Sequence, residues 1–136
     1  MRTIFSLCLI LLSWVAVAEP VFPVVVKITI DDDITSVMAD YVKESILFAN
    51  SKKAKALVVE LDTPGGVLNA TRNIVQYMLS AHLPVIVYIG PSGARAGSAG
   101  VFITLAADVA AMAPSTHIGA AHPVNAWGND IEGDMV

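Results

Sequence analysis

Ala56-Leu57-Val58-Val59-Glu60-Leu61 runs into Asp62-Thr63-Pro64-Gly65-Gly66, and this passage from apolar run to glycine turn decides the fold. The run is short, branched and almost wholly apolar, which suits a buried strand rather than a helix. Beyond the turn, Leu68, Thr71, Val75, Met78 and Leu79 recur at helical spacing, and the helix ends near His82. The same alternation extends both ways. Upstream, Val24-Val25-Val26-Lys27-Ile28-Thr29-Ile30 is a strand. Ile34, Val37, Met38, Tyr41, Val42, Ile46 and Ala49 then mark a helix, with Asp40, Lys43 and Glu44 on the opposite face. Asp33 is its expected cap, so Asp31-Asp32-Asp33 reads as a solvated turn at a positive helix end rather than a metal cluster. Downstream, Pro84 opens a strand over 85–89, and the loop 90–97 leads to a small-residue helix over 98–107. Strands follow at 109–113 and 116–121. Near-continuously apolar strands alternating with helices imply α/β, a parallel sheet covered on both faces.

Composition narrows the class. The 136 residues allow one domain, and 55% apolar with 15% charged excludes a disordered chain. Twelve acidic against eight basic side chains, a net charge of −4, give no electrostatic footprint for nucleic acid. The single cysteine, Cys8, excludes an intrachain disulfide and a Cys-based zinc site. Residues 1–18 read as a secretory signal: Arg2 supplies charge, 4–15 is apolar, and Ala16-Val17-Ala18 offers small residues for cleavage before Glu19. The run falls short of the ~20 residues a spanning helix needs. Residues 19–136 then form the exported domain. Its polar end, 119–136, shows no closing helix and reads as a domain cut short inside a loop.

Two glycine-containing loops leave buried strands and enter helices. In a parallel sheet both lie at the carboxyl edge, where sites form. Asp62-Thr63-Pro64-Gly65-Gly66 can present backbone N–H groups as an anion hole. Gly93-Ala94-Arg95-Ala96-Gly97-Ser98-Ala99-Gly100 sets a hydroxyl at a helix start among residues too small to cover it. Such a serine is suited to acyl transfer, yet serine before an apolar helix is also an ordinary N-cap. Neither GxGxxG nor GxxxxGK[ST] is present, and Ala96 breaks a G-x-S-x-G elbow. From the loops alone, catalysis and plain structure stay equally open.

Glu60-Leu61-Asp62-Thr63-Pro64-Gly65-Gly66, the loop 93–100, and Met112-Ala113-Pro114-Ser115-Thr116-His117-Ile118-Gly119-Ala120-Ala121-His122-Pro123 together resemble NfeD. This is a membrane-bound serine protease family of the ClpP/crotonase superfamily, related to signal peptide peptidase A. The resemblance runs along essentially the whole mature chain. It implies a ClpP/crotonase-type fold, Ser98 as nucleophile, and an oxyanion hole from the amides of Gly65 or Gly66 and of Ala99. The family pattern is a Ser–Lys dyad, but no lysine follows Lys55, which places the expected base beyond Val136 and leaves these residues alone without it. ClpP-type relatives use histidine, which gives His122 a rival role beside that of an ordinary loop histidine. His117 and His82 read as structural, Asp108 as a turn residue, and Arg95 as solvated or as a contact for substrate.

The implied activity is a serine endopeptidase cleaving hydrophobic segments of stomatin-like membrane proteins, with no metal or organic cofactor. A homo-oligomer and membrane association of the full-length protein follow from the same resemblance, and an extracytoplasmic location follows from the signal segment. Two other readings stand beside it: a non-catalytic scaffold docking a stomatin-like partner, and an acyl-CoA-binding crotonase-type enzyme. The last lacks basic residues near the glycine loop to hold a nucleotide.

Overall fold

The computed structural model describes residues 22–122. The expected signal segment and the tail from 123 onward lie outside them. Chain order is β1 (Val25–Asp31), α1 (Ser36–Ser51), β2 (Ala56–Asp62), α2 (Leu68–Leu79), β3 (Val85–Ile89), β4 (Arg95–Gly97), α3 (Ala99–Leu105), β5 (Val109–Met112) and β6 (His117–Gly119). Strands β1, β2, β3 and β5 form one sheet in that order, and every pair is parallel. The α/β expectation holds, with strand bounds within a residue or two of those read from the sequence.

Register explains the core. Ile30 pairs with Leu61 and Leu61 with Ile89, while Ile28, Val59 and Val87 form the next row. These rows are buried, with Ile30, Leu61 and Ile89 fully so. Each such side chain contributes roughly 1.5–3 kcal/mol. Against them pack Val42, Ile46 and Ala49 of α1, Ala70, Ile74 and Met78 of α2, and Ile103 of α3.

The other face departs from expectation. Lys27 and Thr29 of β1 are exposed, and Lys27 pairs with Glu60 across to β2. All four residues of β5 are exposed. Among the described residues, helices therefore cover one face of the sheet, not both. Within β1 the polar side chains recur at Lys27, Thr29 and Asp31, a period of two that a mostly apolar run disguises. Val75, Leu79 and Leu68 likewise line an open apolar groove of about 370 Å³ between α2 and α3, instead of facing the core.

The start of α1 also differs. Thr35 is the cap, its Oγ1 accepting from the Met38 amide, while Asp33 lies outside the helix. Ile34 is buried outside the helix as well, because its N–H donates to Gly65 O at 2.7 Å and its carbonyl accepts from Val67 N–H at 2.8 Å. This bridge ties the end of β1 to the glycine turn after β2. Val37 and Tyr41, expected on the inner face, are exposed.

Candidate active site

The second glycine loop contains a strand that the sequence did not announce. Arg95–Gly97 pairs in parallel with His117–Gly119, forming a small separate sheet. On its other edge Thr63 bridges to Ala96: the Thr63 N–H donates to Arg95 O at 2.7 Å, and Gly97 N–H donates to Thr63 O at 2.9 Å. The two glycine loops, separate in sequence, are thus stitched together at the carboxyl edge of the sheet.

Ser98 follows at the turn from β4 into α3. Its backbone has φ 47° and ψ −105°, a conformation that costs a non-glycine residue about 1–3 kcal/mol. The Ser98 N–H donates to Gly119 O at 2.8 Å, which helps hold that conformation. Its side chain makes no cap bond to α3, so the ordinary N-cap reading of this serine does not describe it. A strained serine on a sharp strand-to-helix turn is the arrangement that pushes a nucleophilic hydroxyl outward. The Ala96 that breaks the sequence pattern is fully buried two residues before it.

Gly65 lies directly against Ser98. A Cβ built on Gly65 would sit 2.8 Å from Ser98 Cβ and 3.4 Å from Oγ, so no larger residue fits between them. Gly66 is confined on its other side, where a Cβ would stand 2.7 Å from Ile34 Cα. The two glycine amides differ. Gly65 N–H donates to Thr63 Oγ1 at 3.2 Å, whereas Gly66 N–H has no acceptor among the described residues. Ala99 N–H begins α3, so it is one of the first-turn donors left without a helical partner. Gly65, Gly66, Ser98 and Ala99 are therefore gathered at one place.

The remaining candidates spread outward. His117 pairs in register with Arg95, and both line a recess of about 260 Å³ with Pro64, Gly97 and Ile118. His122 follows Gly119, the residue bonded to Ser98, by three positions. Asp108 stands at the opposite end of the sheet, where Oδ2 accepts from Val85 N–H at 2.8 Å. Its N–H donates to Val85 O at 2.9 Å, a structural clamp as the turn reading expects. His82 lies in a recess beyond α2 with Lys43 and Tyr77. Thr63, passed over in the sequence, is fully buried between the loops and bonded on three sides.

The chain is 41% identical over 120 residues to a membrane-bound protease of Pyrococcus horikoshii, covering 85% of this chain and 27% of that relative. Its fold is similar to that of the 1510-N membrane-bound stomatin-specific protease, solved as a lysine-to-alanine variant in complex with a substrate peptide. That match has a TM-score of 0.76 at 41% identity and covers 82% of this chain and 52% of the other. A serine-to-alanine variant of the same protease matches with a TM-score of 0.77. ClpP1 of Listeria monocytogenes shares the fold at 23% identity, with a TM-score of 0.64 over 73% of this chain and 57% of that one. The chain thus spans about a quarter of the length of the curated relative and about half of the solved protease chains. The family described as NfeD1b, N-terminal domain, matches residues 24–135, and this chain, with its ClpP-like fold, belongs to it.

Proposed function

We propose that this chain carries the nucleophile and oxyanion hole of a serine endopeptidase. The observation that carries the reading is Ser98: strained backbone, no cap bond, and a glycine pressed against its side chain. A structural serine would relax into a cap; a nucleophile has to be held exposed. Ser98 Oγ attacks a peptide carbonyl carbon as a base takes its proton, and the carbonyl electrons move onto oxygen. The amides of Gly66 and Ala99 receive that charge. Gly66 is favoured over Gly65 because the Gly65 amide is already committed to Thr63. The tetrahedral adduct collapses, the amine leaves with the proton, and water hydrolyses the acyl-serine to restore the hydroxyl.

The base is the lysine of the family pattern, expected beyond Val136, with His122 as the alternative. The substrate class is a hydrophobic segment of a stomatin-like membrane protein, in keeping with the specificity named for the 1510-N protease. The full protein then acts as a membrane-associated homo-oligomer on the extracytoplasmic side, reached through the signal segment. The test is turnover of hydrophobic peptides by the full-length protein and by Ser98→Ala. Loss of turnover with retained peptide binding supports the reading, and equal turnover by both overturns it. A scaffold would bind and never cleave.

A further inference from the structure

We infer that Thr63 is a positioning residue for the oxyanion hole, its hydroxyl holding the Gly65–Gly66 peptide so that the Gly66 N–H faces the reacting carbonyl oxygen. This rests on the endopeptidase reading. The geometry begins with the peptide unit itself. Gly65 C=O and Gly66 N–H belong to one planar trans peptide and point in opposite directions. Fixing the carbonyl therefore aims the amide. Two donors fix it: Ile34 N–H at 2.7 Å and Thr63 Oγ1 at 3.1 Å. The same hydroxyl accepts from Gly65 N–H at 3.2 Å, so a single oxygen restrains the peptides on both sides of Gly65. Glycine has wide backbone freedom, and two in succession would otherwise swing the amide through many orientations.

Thr63 also reaches the other half of the site. Its backbone bonds to Arg95 and Gly97, immediately before Ser98. Its methyl faces Gly100, where an added Cβ would stand 2.8 Å from Thr63 Cγ2. One fully buried side chain thus registers the anion-binding turn against the nucleophile turn. A hydroxyl that served packing alone could be exchanged for a methyl of the same shape. A hydroxyl that aims a donor could not, because a misplacement on the order of 1 Å near the reacting atoms costs about a hundredfold in rate.

The experiment uses the full-length protein and five variants: Thr63→Val, Thr63→Ser, Thr63→Ala, Ser98→Ala and the double variant Ser98→Ala/Thr63→Val. Thr63→Val keeps shape and loses the hydroxyl, so kcat should fall about tenfold to a hundredfold with KM unchanged. The rate of Ser98 labelling by a fluorophosphonate, whose adduct places an oxygen in the same hole, should fall in parallel. Peptide affinity measured in a Ser98→Ala background should be the same with and without the Thr63→Val substitution. Thr63→Ser and Thr63→Ala both lose the methyl and differ only in the hydroxyl, so they decide the matter even if Thr63→Val fails to fold. Serine should retain kcat and alanine should lose it. Equal kcat for the serine and alanine variants, or wild-type kcat for Thr63→Val, overturns the positioning role while leaving the endopeptidase reading intact. Wild-type turnover no greater than that of Ser98→Ala overturns both.

Discussion

At the amino end of the parallel sheet, Asp108 and Val85 exchange two hydrogen bonds, Lys55 N–H meets Val24 O at 2.8 Å, and Leu57 N–H meets Pro84 O at 2.9 Å. At the carboxyl end, Ser98, Ser115 and Ala120 all hold positive φ, and glycines approach neighbouring backbone too closely for any side chain. Only Lys53, in the turn before β2, shares that conformation at the amino end among non-glycine residues described. One end is relaxed and clamps strands together; the other stores strain around a hydroxyl. The difference teaches where to look for chemistry. Strain persists only where surrounding bonds enforce it, and here those bonds converge on Ser98 and Gly65.

The contrast can be broken or sharpened by substitution. The largest effect is expected for Ser98→Ala, which should lower peptide turnover by at least about a thousandfold with little change in thermal unfolding. Wild-type turnover in that variant would remove the carboxyl end's claim to chemistry. Gly66→Ala comes next. The new Cβ meets the Ile34 backbone, which cannot swing aside, so activity should fall about a hundredfold or more and the melting temperature should drop measurably. Unchanged activity and melting would mean the Ile34–Gly66 bridge is looser than its contacts require.

At the amino end stability changes and activity does not. Asp108→Ala should cost about 1–3 kcal/mol of stability by leaving Val85 N–H without its acceptor, while kcat stays at the wild-type value. Denaturant melts and initial rates on the same sample separate the two effects. Ser98→Gly should raise stability by about 1 kcal/mol, since glycine adopts positive φ without strain, while abolishing turnover. A destabilised glycine variant would show that the Ser98 backbone is not strained. The smallest effect belongs to Lys27→Ala on the uncovered face, within about 0.5 kcal/mol, because the Lys27 side chain is largely exposed to solvent.

Much of this contrast is legible in the sequence. The strand at 85–89 coincides with β3, and the residues gathered at the site, Gly65, Gly66, Ser98 and Ala99, are those the motifs single out. Thr63 is not legible there. Its sequence context is a turn, and nothing local reveals that its hydroxyl and backbone serve different loops. Asp33 stands out as a cap ahead of Thr35 for a related reason. The pull of Gly65 and Gly66 on Ile34, which delays the helix by a residue pair, comes from a distant part of the chain.

What the sequence determined by itself is therefore the alternation of strand and helix, because periodicity is a local property set by which side chains can be buried together. It also determined that a serine would stand among residues too small to cover it. Among the described residues, the tertiary structure alone decided which glycine amide stays unbonded, which face of the sheet the helices cover, and that residues 95–97 become a strand. Each of those depends on a hydrogen-bond partner or packing surface brought in from far along the chain, and such partners leave no mark on local spacing.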